Sequence, residues 1–406
     1  MGSGGGHWER LTQYIEKAAD TELDVIVSSE ALHSYLLEKQ ATKADGETKV
    51  DVTDTFLTRD LRQLLTGRVE DTADGSYYIA PGMLDHNNFK GILMGDELQY
   101  DHFEAYQKAH SILNQLEPNV PTFNSQFAGM NEATGKSWAE DYGPVAGTFC
   151  YDMYPYSKDG SLKKDWLYNM QLSAKAGAEH DFTTGITLQA HGQVVSTHKN
   201  GQLVEYENLG LRDIEEKDDI SYQVYTSLAY GMKYLFYYTY APHRLQFDTH
   251  YYTVTMIEYD ENQKIVETDT YRAVQAVNKD ILKFDHVFLD YDWQGTIAIS
   301  KENKENLFEQ LEEYNNDAIS SYSATHDALI GCMYDPDKKI NGYWLVNAAN
   351  PQDNQSNQVT VTFEGKTKVI VYNPSQGVYG EIYDLNAHTY TAELGSGEGQ
   401  FVIPLS

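Results

Sequence analysis

The feature that most constrains the fold is an alternation of short apolar runs with amphipathic segments, which continues to about residue 285. The apolar runs, such as Val25–Val27 and "GILMG" at 91–95, resemble the continuous runs of buried parallel strands. Helical spacing follows most of them, as in "ALHSYLLEK" and in residues 101–116. Strict alternation of strand and helix predicts a parallel sheet that is covered by helices.

The number of strands and the residues that follow them narrow the choice of fold. Six strands are expected, at residues 25–27, 90–95, 121–126, 146–151, 185–190 and 233–240. A (β/α)8 barrel has eight strands, and a doubly wound sheet is the alternative. Polar or aromatic residues follow the strands, in "GDE", "NSQF", "YDMYPY", "QAHG" and "YYTYAPH". Because the carboxyl ends of all strands converge on one mouth in a barrel, this distribution favours the TIM-type barrel.

The pattern changes near residue 291, where short alternating strands separated by turn residues begin. Strands at a spacing of about 8–12 residues are typical of a β-sandwich. We therefore expect two domains, a (β/α) barrel over residues 1–290 and an accessory all-β sandwich over residues 291–406. Within the second region, "KENLFEQLEEYNN" at 304–316 is predicted to form a helix.

The charge of the chain excludes several classes of partner. The net charge is −31, from 30 basic and 61 acidic side chains among 406 residues. Such a field repels nucleic acid and anionic membrane surfaces. No apolar stretch approaches the roughly 20 residues that span a bilayer, so we expect no membrane insertion.

The two cysteines, Cys150 and Cys332, are expected to be buried free thiols. Few cysteines are typical of cytoplasmic proteins and of many enzymes that bacteria export, and we favour a secreted or cell-surface bacterial location. The initial "MGSGGGHWERL" has no basic or apolar region of a signal peptide and says nothing about export.

Four motifs in order carry a resemblance to a known group of enzymes. They are "G-x-L-x-x-D-E", "Y-D-x-Y-P", "L-Q-A-x-G" and "S-L-A-Y-G-x-K-x-L-x-Y-Y-T-Y". Together they resemble bacterial glycoside hydrolases of clan A, and most of all the β-galactosidase barrels of family 42. The final "GEGQFVIPL" resembles the β domain that ends many such enzymes. The resemblance covers about residues 20–406 and implies polysaccharide degradation, with an oligosaccharide or glycoconjugate as substrate.

The same comparison implies an incomplete barrel. If "KYLFYYTY" matches the eighth strand, "GILMGDE" is the fourth and "GITLQA" the seventh. In the family two β/α units precede the strand that matches "DVIVSS", whereas one helix precedes it here. We therefore expect the first two β/α units to be missing from this chain. A truncated chain, a homo-oligomer or another partner that completes the barrel would each explain this, because a missing pair leaves open sheet edges.

The resemblance assigns an acid/base residue. In clan A this residue is a glutamate at the end of the fourth strand, preceded by an asparagine; Glu97 matches the glutamate and Asp96 replaces the asparagine. The chemistry needs a carboxylic acid that protonates the leaving glycosidic oxygen. The alternative is that one acid caps a loop and the other is solvated. Asp101 and Glu104 have the spacing of a capping box, so we expect Asp101 to cap the helix that follows.

The nucleophile is the open question. Clan A enzymes carry it as a glutamate at the end of the seventh strand, where this chain has Gln189, and an amide does not form a glycosyl ester. One alternative is another carboxylate, Asp152. A second is the acetamido group of the substrate, oriented by Asp96, since adjacent Asp-Glu pairs resemble N-acetylhexosaminidases, including family 123. The third is a non-catalytic carbohydrate-binding protein derived from a glycosidase barrel.

Side chains near the strand ends are candidates for sugar binding, because the apolar faces of sugars pack on aromatic rings while polar groups meet the hydroxyls. The expected substrate-binding residues are Gln189, His191, Tyr154, Tyr156, Asn124, Tyr238, Tyr240 and Trp138. Ordinary core packing is the alternative for each aromatic ring. His243 is a further candidate for binding sugar hydroxyls. No metal-ligand spacing, GxGxxG or P-loop motif is present, so we expect neither a metal nor another cofactor.

Overall fold

The computed structural model describes residues 15–19, 24–37, 41–42, 49–67, 82–200, 202–214, 216–241 and 250–406. These residues form two compact units. The N-terminal unit ends at Tyr151 and also takes His180–Thr183, and the C-terminal unit comprises Asp152–Glu179 and Thr184–Ser406. No helix in the described ranges is long and apolar enough to cross a membrane.

The N-terminal unit is built on parallel strands. Its strands are β1 (Val25–Val27), β2 (Ala41–Thr42), β3 (Lys49–Val50), β4 (Phe89–Asp96), β5 (Thr122–Gln126), β6 (Met130–Asn131), β7 (Lys136–Ser137) and β8 (Thr148–Asp152). Its helices are α1 (Glu30–Leu36), α2 (Asp54–Thr66), α3 (Phe103–Leu116) and α4 (Trp138–Ala146). The strands β1, β4, β5 and β8 pair in parallel in that order, so the alternation seen in the sequence is confirmed for this unit.

Local signals in the sequence define these helices. Helix α2 is capped by Thr53, whose hydroxyl accepts the N–H of Phe56, and it ends at Gly67 in a left-handed conformation. Helix α4 begins with a capping box, formed between Ser137 and Glu140. The leucines of α2 at helical spacing are fully buried, which attaches this helix to the core.

The predicted capping box of α3 is wrong. Tyr100–His102 form a short 3-10 turn that continues directly into α3, so the residue at the N-cap position is His102, without a side-chain cap. Asp101 therefore lies inside the turn, where its carboxylate is 3.4 Å from the His102 ring nitrogen. The spacing between Asp101 and Glu104 looked like a cap because the sequence does not distinguish a 3-10 turn from the extended residue that precedes a helix.

The C-terminal unit combines β/α segments with antiparallel sheets. Its helices are α5 (Trp166–His180), α6 (Lys217–Ala229), α7 (Asp269–Ile281) and α8 (Asp285–Phe288). The first strands are β9 (Thr183–Gln189), β10 (Gly192–Lys199), β11 (Gln202–Leu211), β12 (Tyr234–Tyr238), β13 (His250–Thr253), β14 (Ile257–Tyr259) and β15 (Ile265–Glu267). Strands β9 and β12 are parallel neighbours, and β11, β10 and β13 form an antiparallel sheet in that order.

The remaining strands form the predicted sandwich. They are β16 (Asp292–Ile299), β17 (Ile319–Ala324), β18 (Ala328–Asp335), β19 (Ile340–Asn347), β20 (Asn357–Phe363), β21 (Lys368–Asn373), β22 (Val378–Asp384), β23 (Thr389–Leu394) and β24 (Gly399–Leu405). A six-stranded sheet, ordered β16-β18-β19-β24-β21-β22, shares one core with a three-stranded sheet, β17-β20-β23. Alternate residues of both sheets, such as Ile330, Leu345 and Val361, fill that core. Both cysteines are buried free thiols as predicted, and burial raises each thiol pKa to about 12.

Helix α6 is buried on all sides, from Asp219 to Ala229. It lies against the six-stranded sheet, where two glycines allow the close approach. A Cβ at Gly331 would lie 2.4 Å from the carbonyl oxygen of Ala229, and one at Gly399 would lie 2.7 Å from the Tyr225 ring. The sandwich therefore covers a helix that belongs to the β/α part of the same unit.

The predicted helix at 304–316 is wrong, because this segment consists of turns and irregular backbone. The Asp327 carboxylate accepts the N–H groups of residues 301–303, and Asn303 and Asn306 have φ values of 44° and 57°, outside the helical region. Further along, the backbone of Glu312 exchanges two hydrogen bonds with the Gln171 side chain. The Gln171 side chain thus satisfies the two backbone groups of Glu312 that a helix would have paired internally, whereas residues 301–303 precede the predicted helix.

The predicted organisation is thus confirmed at the coarser level, a β/α part followed by a β-sandwich. The finer predictions, a (β/α)8 barrel without its first two units and a domain boundary between residues 290 and 291, stay predictions. The helix that the sequence analysis expects before "DVIVSS" falls mostly outside the described residues; residues 15–19 are helical.

Candidate functional site

The paired acids lie where β4 ends. Asp96 is the last residue of the strand, opposite Ser125 of β5, and Glu97 follows with a φ of 45° while its N–H donates to the Ser125 carbonyl oxygen (2.8 Å). Both acidic residues are exposed. Next to them, the buried Leu98 packs onto Gly95, where a Cβ would lie 2.5 Å from Leu98 Cδ1. The backbone therefore leaves strand geometry at Glu97, so the strict alternation of side chains no longer separates the two carboxylates.

The left-handed conformation of Glu97 has an energetic cost. A non-glycine residue in this region of φ/ψ space is less stable by about 1–2 kcal/mol, and glycine would relieve that cost. Strained backbone of this kind occurs in turns and also clusters at active sites. The structure places this strain at the residue that the sequence analysis expects to be the acid/base.

Two other candidates in the N-terminal unit have structural partners. Asn124 is fully buried, and its amide oxygen accepts the N–H of Cys150 (3.4 Å). Trp138 is buried against the rings of Phe127 and Tyr142, at centroid distances of 5.3 and 5.9 Å. Their proposed contacts with a sugar stay predictions.

Asp152 ends β8 and is half-buried. Its electrostatic environment includes the ammonium group of Lys163. Burial lowers the pKa of Lys163, and the carboxylates of Asp165 and Asp152 oppose that shift. Asp152 therefore contributes favourable charge to the surroundings of a partly desolvated cation, and its proposed catalytic role stays a prediction.

The C-terminal unit brings three predicted residues, Tyr154, His191 and Tyr238, together with Tyr252. We call this group the tyrosine–histidine cluster. The His191 ring lies edge-on to the three tyrosine rings, with centroid distances of 5.0 Å to Tyr154, 5.4 Å to Tyr238 and 4.7 Å to Tyr252. His191 is fully buried, whereas the tyrosines are half-buried. Residues that follow β8 and β9 and the last residue of β12 therefore meet in one place, as expected for the carboxyl ends of neighbouring parallel strands.

The tautomer of His191 follows from its contacts. Nδ1 lies 2.6 Å from the carbonyl oxygen of Tyr238 and must therefore be the protonated nitrogen. Nε2 is buried and has no hydrogen-bond partner among the residues that the structure describes. Burial lowers the pKa of the imidazole. The cluster thus contains a neutral imidazole whose unprotonated nitrogen is an acceptor.

This burial predicts a pH-dependent contribution to stability. Below about pH 6.5 the unfolded chain protonates its histidine while the folded chain resists, so the free energy of unfolding falls with decreasing pH, by about 1.4 kcal/mol for each unit of pKa depression. A His191→Gln variant keeps an N–H donor near Tyr238 but does not titrate. Denaturant unfolding at a series of pH values should show that the free energy of unfolding of the wild type falls relative to that of the variant below pH ~6.5. If the free energies of unfolding of the two proteins changed in parallel with pH, the neutral state of buried His191 would be contradicted.

Gln189, at the position where the sequence resemblance expects a nucleophile, has every polar atom of its side chain engaged. Its Nε2 donates to the carbonyl oxygens of His191 (3.0 Å) and Arg212 (2.9 Å), and its Oε1 accepts the N–H of Tyr156 (3.2 Å). Its backbone exchanges two hydrogen bonds with the buried amide of Gln223. Gln189 therefore holds three chain segments together, and this role requires an amide, since a carboxylate has no N–H to donate.

Tyr156 and Arg212 extend the same network. The Tyr156 hydroxyl donates to the Asp219 carbonyl oxygen (2.7 Å), and its ring lies 4.1 Å below the Arg212 guanidinium carbon. Arg212 forms a bidentate ion pair with the Asp219 carboxylate. Tyr156 is fully buried, and its side chain serves this network, while Tyr240 is exposed at 56 % beyond the end of β12.

Gln189→Glu tests the structural role of the amide. At neutral pH the buried carboxylate would face two carbonyl oxygens that lose their donor, which should lower the free energy of unfolding by about 1–3 kcal/mol or more. Because this environment raises the pKa of the new carboxyl group, the loss should shrink as the pH falls. Denaturant unfolding would measure it, with the exposed Gln294→Glu as the matched control. An unchanged stability together with a gain of retaining glycosidase activity would contradict the inference.

Several residues of this network and of the tyrosine–histidine cluster are absent from the sequence-based expectations: Arg212, Asp219, Gln223 and Tyr252. The hairpin β10–β11, which leads to Arg212, has a recognisable signal, the Asn200–Gly201 pair between alternating runs, and Asn200 has a φ of 52°. Asp219 and Gln223 are one turn apart on α6 and have no such signal. His243 lies outside the described residues, and within those residues no group of three or more histidine, cysteine or acidic side chains is placed to hold a metal.

Comparison with protein-family models finds no match, and comparison with curated protein sequences finds none either. Solved structures do resemble the chain. One, described as a glycoside hydrolase, is 10 % identical, with a TM-score of 0.51 over 100 % of this chain and 78 % of that chain. At this identity the likeness shows a shared fold.

Two further solved structures have lower scores. The GH51 arabinofuranosidase from Xanthomonas axonopodis pv. citri is 9 % identical, with a TM-score of 0.44 over 97 % of this chain and 78 % of that chain. The β-galactosidase from Bacillus circulans sp. alkalophilus is 8 % identical, with a TM-score of 0.38 over 75 % of this chain and 66 % of that chain.

Proposed function

We propose that the protein hydrolyses glycosidic bonds of a neutral or N-acetylated oligosaccharide, with Glu97 as the general acid/base. The observation that carries this proposal is the position of Glu97: an exposed glutamate in a strained conformation directly after the last residue of a parallel strand. The carboxyl ends of such strands are where sites form in barrels and open α/β sheets. The fold shared with a glycoside hydrolase supports the reaction class.

The role of Gln189 bears on the mechanism. Its amide is used internally, so a covalent intermediate at this position is not part of the proposal. Two mechanisms remain. In one, a second carboxylate, for which Asp152 is the candidate, either attacks the anomeric carbon itself or activates a water molecule; in the other, the acetamido group of the substrate attacks and Asp96 orients it. Asp96 acts as polariser of Glu97 in the first case and as clamp of the 2-substituent in the second.

The tyrosine–histidine cluster supports a sugar ligand. Half-buried tyrosine rings offer apolar faces, and His191 Nε2 offers an acceptor among them. We further propose a family 42-like or family 123-like ancestry, a role in polysaccharide degradation and a second copy or partner that completes the barrel; these rest on the sequence resemblance. The secreted or cell-surface bacterial location that the sequence analysis favours is likewise a proposal.

A second function is favoured by one specific observation, the complete engagement of the Gln189 amide. A chain whose Gln189 side chain holds backbone segments together, and is not a nucleophile, can also be a carbohydrate-binding protein without turnover. Release of 4-nitrophenol from a panel of aryl glycosides, with and without a 2-acetamido group, separates the two functions. Turnover that Glu97→Gln abolishes supports the hydrolase, whereas retention on a sugar affinity column without turnover supports the binding protein.

A further inference from the structure

A groove of about 240 Å³ lies in the C-terminal unit between α5 and the first strand of the sandwich. Gln171, Lys175 and Ala178 of α5 line one side. Trp293 of β16 and Tyr314 of the following loop line the other. None of these residues belongs to the candidate site described above.

Both aromatic side chains of the groove are held in place. The Trp293 indole N–H donates to the Thr296 hydroxyl (2.9 Å), and a Cβ at Gly231 would lie 2.6 Å from Trp293 Cβ. The Tyr314 ring lies directly on Gly295, where a Cβ would approach ring atoms to 2.3 Å. Because both rings are half-buried, each keeps part of its surface open to a ligand at little further cost in side-chain entropy.

The polar lining is ordered and acidic. Gln171 exchanges two hydrogen bonds with the Glu312 backbone, and the Lys175 ammonium lies 2.7 Å from both Glu312 carboxylate oxygens. The exposed carboxylates of Glu179 and Glu313 add acceptors. Three carboxylates against one ammonium group disfavour an anionic ligand, while carboxylate and amide groups suit the hydroxyls of a sugar.

We propose that this groove is a second carbohydrate-binding site, which holds a neutral segment of an oligosaccharide and shares no residue with the proposed hydrolytic site. The sugar ring packs on Trp293 and Tyr314, and its hydroxyls donate to the carboxylates at the rim. The ligand class rests on the proposed function, because the chain is expected to act on oligosaccharides, but binding in the groove does not depend on Glu97.

The test is native affinity electrophoresis in gels that contain xyloglucan, galactomannan, soluble starch or hydroxyethylcellulose, all of them neutral. The wild type should be retarded by at least one polymer, and Trp293→Ala should weaken its apparent affinity for that polymer about tenfold or more. Ala178→Leu fills the groove from an exposed helical position, so it should have the same effect without endangering the fold. Tyr322→Ala removes a ring on β17 that is 43 % exposed and is the matched control.

Several outcomes would overturn the proposal: no retardation of the wild type in any gel, equal retardation of the wild type and Ala178→Leu, or loss of retardation between about 0.1 and 1 M salt. The last would indicate a cationic ligand group held by the carboxylates, since the Debye length falls from about 10 to about 3 Å over this range. Aryl-glycoside turnover by the wild type and by Ala178→Leu separates the two proposals. Turnover without retardation refutes the groove alone, and groove-dependent retardation without turnover refutes the hydrolase alone.

Discussion

Replacement of Glu97 by glutamine should lower kcat for an aryl glycoside by about 10²–10⁴-fold, the usual contribution of a general acid/base. The amide keeps the shape of the side chain but has no proton of suitable acidity to give to the leaving oxygen. The loss should be smaller for a 2,4-dinitrophenyl glycoside than for a 4-nitrophenyl or methyl glycoside, because a better leaving group needs less protonation. Initial rates over a series of leaving groups would measure this dependence.

Two variants make that experiment specific. Glu104→Gln changes an exposed glutamate of the same unit, paired with Lys108 on α3, and should leave turnover unchanged. Asp96→Ala should abolish turnover selectively for 2-acetamido substrates if the acetamido group is the nucleophile. If Glu97→Gln retained wild-type kcat with every leaving group, Glu97 would not be the acid. If Asp96→Ala retained activity on 2-acetamido substrates, the substrate-assisted mechanism would be excluded.

Replacement of Asp219 by alanine should lower the free energy of unfolding by about 3–5 kcal/mol, because it leaves the Arg212 guanidinium buried without its counter-ion. The side chains of Arg212 and Asp219 are only 11 % and 5 % exposed. Arg212 also lies over Tyr156, and its carbonyl oxygen accepts from Gln189, so its displacement would loosen the segment that follows β9. Urea unfolding followed by tryptophan fluorescence would measure the loss.

The matched control is an ion pair of the same chemistry on the surface. Arg272 and Asp269 are 56 % and 77 % exposed, so Asp269→Ala should cost no more than about 1 kcal/mol. A double replacement, Arg212→Met with Asp219→Leu, removes both charges and should recover much of the stability lost in Asp219→Ala. Similar losses for Asp219→Ala and Asp269→Ala would show that the buried pair does not stabilise this unit in the way proposed.

The elements that the sequence predicted correctly are those whose signals are local. Val25–Val27 is an apolar run of β-branched residues, and the buried leucines of α2 recur at helical spacing, so each predicts its own conformation. Glycine and other turn residues between alternating strands were likewise sufficient to predict the sandwich. Each of these patterns depends only on residues within a few positions of one another.

The two wrong predictions, the helix at 304–316 and the cap at Asp101, fail for a common reason. In both cases the spacing of the residues matches a helical pattern, but backbone hydrogen bonds go elsewhere: to the Gln171 side chain in the first case, and into a 3-10 turn in the second. A pattern predicts a helix only when no better partner for those backbone groups arrives from a distant part of the chain.

The sequence by itself determined the alternation of strands and helices, the sandwich, and the paired acids Asp96 and Glu97 at the end of a strand. Only the tertiary structure decided that Glu97 leaves strand geometry and that Gln189 is a structural link. It also decided that His191 is a neutral acceptor within a tyrosine–histidine cluster. The physical reason is that these properties depend on groups 20 or more positions away, such as the carbonyl oxygens of Arg212 and Tyr238, whose approach no local pattern encodes.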